Sequence, residues 1–267
     1  MISWKQYSLC LALSAFTLHA TAFAADRSIK NLSAPKPEQR TVEMFAAMEA
    51  NEIEVKLIPK DDTEARVIIK NNTKKPLNVK LPDTFAARPV LAQVGGGTRS
   101  SGSGSTSGGG QQTGGGGMGG MGMGGGMGGG MGMFSVPPEQ LGQFKVPMVC
   151  LEHGKKEPRP NIPYEIVPLD KFSKDPALKE LLVAFGKEKL DQRSAQAAAW
   201  HLSNKMSWQD LANKRIEHLD GTSEAWFSVQ EINAGMQFAT AATTLAAKTP
   251  VTKVLADGES FQPVREE

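Results

Sequence analysis

Cysteine is nearly absent from this chain: its 267 residues hold two. The first, Cys10, falls in an opening segment that reads as a cleavable secretory signal. Lys5 supplies the positive start, residues 9–18 are mostly apolar, and Ala22-Phe23-Ala24 forms an A-x-A cleavage site. Removing residues 1–24 leaves Cys150 alone, which excludes an intramolecular disulfide and makes the fold depend on an apolar core. An unpaired thiol in an exported chain is expected to be buried, bonded to another chain or chemically masked.

Charge of one sign is lacking too. Without Lys5 the 30 basic residues become 29, against 28 acidic ones, a net charge of +1. That balance excludes a nucleic-acid binder driven by electrostatics. After residue 24 no apolar run approaches the roughly 20 residues that span a bilayer, so no transmembrane segment is expected. His153, His201 and His218 are scattered and show no metal-ligand spacing with Cys150. No phosphate-loop spacing and no supported carboxylate pair occur. The expectation is therefore a non-enzyme without cofactor or metal. It is exported to the periplasm, the cell surface or the medium, where its partner is a surface protein or a glycan.

What is present falls into segments. Residues 25–40 are polar and proline-bearing, and read as disordered. A short helix is predicted from Thr41, with Val42, Phe45, Ala46 and Glu49 at helical spacing. EIEVKLIPK, ARVIIKNNT, LNVKLP and RPVLAQV then read as strands separated by turn residues. Residues 95–132 hold 22 of the 28 glycines, with methionine in the second half, and are expected to behave as a flexible coil. The methionine thioethers of that tract are soft enough for Cu(I), or they serve a loop as apolar stickers. Strand patterns resume in FKVPMVCLEHG and IPYEIVPL.

From Lys171 onward the pattern is helical. Asp175-Pro176 opens one helix that Gly186 is expected to stop, and Asp191, Ser207 and Ser228 cap three more. The expected fold class is α+β: an immunoglobulin-like β-sandwich over 41–170, interrupted by a disordered Gly/Met-rich loop at 95–133. A small all-helical subdomain over 171–250 and a disordered tail at 251–267 complete it. Two domains joined by the glycine-rich tract as a linker are the alternative.

One residue pair carries chemistry. Cys150 ends a predicted strand, and Gln196 lies on the predicted helix SAQAAAWHLSN with Trp200 four residues on, along the same face. A cysteine sulfur beside a glutamine carboxamide can close an internal thioester with loss of ammonia, leaving an acyl group open to an amine or hydroxyl. Such a bond needs a dry surround, for which Trp200, Tyr164 and the flanking alanines are candidates. Gln192, one turn earlier, is the alternative partner.

The stretches VCLEHGKKEPRPNIPY and AQAAAWHLSNKMSW resemble the cysteine and glutamine segments of thioester domains in bacterial surface adhesins, over roughly residues 146–209. The resemblance implies a Cys150–Gln196 thioester that attaches the chain covalently to a surface nucleophile, with Trp200, Tyr164 and His201 in support. Val149 stands where that family has an aromatic residue. Two other readings compete: a structural cell-envelope protein without covalent chemistry, and a hydrolase using Cys150 with His153 or His201.

Overall fold

A computed structural model describes residues 29–31, 34–90, 110–119, 132–188 and 190–248. The signal segment, the 251–267 tail, residues 25–28 and most of the glycine-rich tract lie outside that set. In chain order the first half holds β1 (Ile29–Asn31), β2 (Arg40–Glu43), α1 (Met44–Glu49), β3 (Ile53–Pro59), β4 (Glu64–Asn71), β5 (Leu77–Lys80) and β6 (Thr84–Pro89). After these come β7 (Gly114–Gly117), β8 (Met133–Val136), β9 (Leu141–Pro147), β10 (Val149–Cys150) and β11 (Tyr164–Val167). Helices α2 (Pro176–Glu188), α3 (Gln192–Asn204) and α4 (Trp208–Asn213) follow, then strands β12 (Arg215–Glu217) and β13 (Ser223–Ala225), then α5 (Val229–Lys248). The architecture is α+β.

The main sheet has seven antiparallel strands in the order β9-β4-β3-β11-β6-β7-β10, and β1 adds in parallel along β9. It curls: β7 lies against β9, and the chain passes from β9 into β10, so consecutive strands occupy opposite ends of the antiparallel order. A smaller sheet, β2-β5-β8, supplies Leu77, Val79, Phe134 and Val136 to a core shared with Ile53, Leu57, Val67, Ile69 and Phe85 of the large one. Alternating burial along β3 and β4 follows from the alternating apolar sequence. Buried Asn71 closes the turn after β4. Its amide donates to the carbonyls of Lys75 (2.8 Å) and Val136 (3.0 Å), while its oxygen accepts from the Thr73 N–H (2.8 Å).

Helices and strands share a second core. Leu178, Leu181, Leu182 and Phe185 of α2 pack with Val149, Leu151, Val167 and Ala86, and with Ala195, Ala198 and Ala199 of α3. Residues on both sides of position 171 thus contribute to this core. The predicted caps are present. Asp191 accepts from the Ser194 N–H at 2.9 Å, and Ser207 and Ser228 each form a capping box with the acidic residue three places on.

Several expectations change. Thr41 and Val42 belong to β2, and the short helix starts only at Met44. The fourth strand begins at Thr84, ahead of the RPVLAQV run. Helix α2 runs through Gly186 to Glu188. The β12–β13 hairpin was not expected at all. The largest correction concerns the 95–133 coil, of which 110–119 and 132–133 are described. Gly114–Gly117 form a fully buried strand between β6 and β10, and Met118 beside it is also buried. Strand β7 sits where side chains do not fit. A Cβ on Gly115 would come within 2.6 Å of Leu151 Cδ1, and one on Gly117 would overlap the Leu182 carbonyl oxygen and the Gly186 backbone. Gly186 is therefore a contact residue of α2. The glycines cost backbone entropy on ordering, but here they allow a strand and a helix to touch main chain to main chain.

Candidate functional site

Strand β10 is two residues long, and its main chain faces two ways. On one side it pairs with β7, Val149 opposite Gly115 and Cys150 opposite Gly114. On the other side no strand follows among the described residues, so the N–H and C=O of Cys150 would be orphaned in a dry interior. Helix α3 fills the gap with side chains. The Gln196 carboxamide accepts from the Cys150 N–H at 2.7 Å and donates to the Cys150 carbonyl at 2.8 Å, standing in for a peptide group of a neighbouring strand. Gln192, one turn earlier, donates to the Met148 carbonyl at 2.8 Å. Further along, Ser203 donates to the Leu151 carbonyl at 3.0 Å, and Asn204 accepts from the His153 N–H at 3.1 Å.

That docking needs a slim helix. Ala195, Ala197, Ala198 and Ala199 are buried, and Gly235 of α5 meets the other side of α3 at the Ser194 carbonyl and Ala197. Alanine has the highest helix propensity and no side-chain entropy to lose, so the QAAAW run forms helix and lets two layers approach it.

Cys150 is 1% exposed and Gln196 6%. The cysteine packs in a small cluster with Ala197, Trp200, Leu211, Phe227 and Ile232. Burial pushes its thiol well above the ordinary range, and Asp62 and Glu157 push it in the same direction. Burial also raises the carboxyls of Asp62 and Glu157, and Asp62 adds to the rise at Glu157.

Trp200 anchors the site's aromatic wall. His153 meets it edge-on with centroids 4.8 Å apart, and Phe227 and Trp226 lie at 5.9 and 6.0 Å. The Lys214 ammonium sits 4.5 Å from the Trp226 ring centre and 5.5 Å from that of Trp200. Burial lowers its pKa, against the opposing pull of Glu157. Burial first and Lys214 second lower that of His153, which leaves the imidazole neutral at physiological pH. Two buried nitrogens in this wall, Trp200 Nε1 and His153 Nε2, have no hydrogen-bond partner among the described residues.

Of the residues singled out from sequence, Cys150, Gln196 and Trp200 come together. Tyr164 lies in the main sheet, and its hydroxyl donates to the Gln112 carbonyl at 2.9 Å, just ahead of β7. Burial raises its pKa, and Cys150 contributes to the rise. His201 is elsewhere: its Nδ1 lies 2.7 Å from the Met206 carbonyl and its ring stacks on Trp208 at 4.2 Å, so it holds the α3–α4 turn. His153 is in the wall, edge-on to Trp200. Lys214, Trp226, Phe227, Asp62 and Glu157 carried no sequence signal beyond the Trp226-Phe227 pair in an otherwise polar stretch.

Among the described residues no group of three or more His, Cys, Asp or Glu side chains is placed to hold a metal, and no helix is long and apolar enough to cross a membrane. Met118 and Met133 are described; the other methionines of the tract fall outside. Comparison with protein-family models, curated proteins and solved structures finds no match.

Proposed function

We propose that this chain is an exported, non-enzymatic binding or adhesion module in which Cys150 and Gln196 close an internal thioester for covalent attachment to a surface protein or glycan. The reading rests on one observation: the buried Gln196 carboxamide is held against the main chain of buried Cys150 by two short hydrogen bonds. Closure adds Cys150 Sγ to Gln196 Cδ. The Cδ–Nε2 bond breaks, and nitrogen leaves as ammonia with the thiol proton. The dry aromatic and alanine surround protects the acyl bond from water. The fold that carries the pair is read as an immunoglobulin-like sandwich, because residues of the small β2-β5-β8 sheet and of the curled main sheet share one apolar core. Export rests on Lys5, the apolar run at 9–18 and the A-x-A site.

A second reading has its own observation. Gln192 bonds the Met148 carbonyl in the same manner with no cysteine involved, so docking α3 on β10 accounts for both glutamines. The chain is then a structural envelope protein without covalent chemistry. A hydrolase using a Cys150 thiolate is disfavoured by the burial that keeps the thiol protonated.

Intact mass of the purified mature protein decides between the first two. The thioester gives a deficit of one ammonia, which methylamine converts to an adduct and which Cys150→Ala and Gln196→Ala abolish. Full mass with a titratable thiol after unfolding overturns it.

A further inference from the structure

We infer that the seam between strand β10 and helix α3 tells an amide from a carboxylate at position 196, so that water, on opening the thioester, also unlatches the helix from Cys150. The inference rests on the thioester reading and names how that site is regulated.

Three states of the pair differ in what ties α3 to Cys150. In the first, the Gln196 carboxamide accepts from the Cys150 N–H at 2.7 Å and donates to the Cys150 carbonyl at 2.8 Å. In the second, the thioester has lost Nε2, and the Cδ–Sγ bond is the tie. Hydrolysis produces the third. The water oxygen adds to Gln196 Cδ, the Cδ–Sγ bond breaks, and the sulfur leaves with the electron pair and takes one water proton. The products are a carboxyl group on the residue-196 side chain and a free Cys150 thiol.

An ionised carboxylate has acceptors only. One oxygen can still take the Cys150 N–H, but the other then faces the Cys150 carbonyl, acceptor against acceptor. A neutral acid differs, because its O–H donates to that carbonyl as the amide did.

The surroundings do not relieve a negative charge there. Gln196 is 6% exposed. Asp62 in the β3–β4 turn and Glu157 in the loop after β10 both act on Cys150 as like charges, and Cys150 and Glu152 act the same way on Tyr164 of β11. Of the cations, Arg193 on α3 is paired with Glu231 of α5 at 3.1 Å, and Lys214 sits over the Trp200 and Trp226 rings. His153 lies edge-on against Trp200. A buried charge without a partner costs more than a lost hydrogen bond. The seam therefore gives way at Cys150, while Gln192 on Met148 and Ser203 on Leu151 hold the helix on either side.

The test separates the latch from the thioester. Cys150→Ala cannot close the bond and keeps the main chain that Gln196 holds, so it serves as parent for Cys150→Ala/Gln196→Glu. The fold favours the neutral form of the new carboxyl and raises its pKa above the unfolded value. Parent and double variant should therefore share a urea midpoint below the ordinary carboxylate range. The gap opens as pH rises from there and is complete above the raised folded-state value. Asp191, whose cap weakens in acid in both chains, cancels from that difference. A double variant that folds only in acid shows the same gap at its largest. With Cys150 kept, Gln196→Glu should react with a maleimide at neutral pH without denaturant. Wild type aged in mild base until its mass gains one water should react likewise.

Equal midpoints at neutral pH, or a thiol that reacts only after unfolding, overturn the latch and leave the thioester standing. So does a double variant that stays unfolded in acid, where the neutral carboxyl would have restored both bonds. Absence of the ammonia deficit in wild type overturns the thioester itself, and the inference with it.

Discussion

Two runs of small residues hold β10 from opposite sides, glycines in β7 and alanines in α3. They do the same job by different physics. The alanine run forms helix on its own propensity, has an Asp191 cap, and reaches the strand through glutamine side chains. The glycine run has no propensity, no side chains and no cap. Its main-chain hydrogen bonds are worth only about 0.5–1.5 kcal/mol each, so its place is set by what surrounds it. The comparison teaches that a low-complexity segment folds where neighbours leave room for a bare backbone and nothing else.

The most damaging way to break this arrangement is at Gly117. Gly117→Val puts a branched side chain into the Leu182 carbonyl and Gly186, and should cost about 3 kcal/mol or more, read from the urea midpoint. Gly110→Ala, with open space around it, should be close to neutral and serves as control. On the alanine side the largest effect belongs to Gln196→Ala. It strands the Cys150 N–H and C=O at about 1–3 kcal/mol for each group, and it removes any ammonia deficit.

Gln192→Ala sharpens the contrast. It gives up one bond, to the Met148 carbonyl, so about 1 kcal/mol is expected in the same unfolding assay. A thioester at Gln196 survives it, so the mass deficit stays. The smallest effect is electrostatic. Hydrogen bonds from Ser194 hold the Asp191 carboxyl below its usual pKa. Its stabilisation is therefore complete above the ordinary carboxylate range and is lost as pH falls through the lowered folded-state value. Asp191→Ala should cost about 1 kcal/mol at neutral pH. The gap between variant and wild type should close on acidification, as followed by unfolding at a series of pH values.

How legible all this was depended on where the determining interactions lie in the chain. The α3 helix, its cap, and the strands β3 and β4 were readable because periodicity and capping are local. Cys150, Gln196 and Trp200 were found together because two are one turn apart and the third has distinctive chemistry. Strand β7 was not readable, since its reason for folding sits in Leu151, Leu182 and Gly186. Gly186 was misread as a helix stop for the same cause. Lys214 and Trp226 were missed because the β12–β13 hairpin brings them together across a stretch with no apolar rhythm. Only the fold sets His153 against Trp200.

The order in which β10 acquires its neighbours has a kinetic consequence. Its partners lie far away on both sides in sequence: Gly114 pairs with Cys150, and Gln196 comes 46 residues after it. During synthesis the strand therefore emerges with one flank open, and that flank stays an exposed edge until α3 has formed and docked. Such long-range closure is slow. The amide hydrogen of Cys150, bonded to a side chain instead of a neighbouring strand, should become protected from exchange only in that last step, which makes it a reporter of when folding is finished.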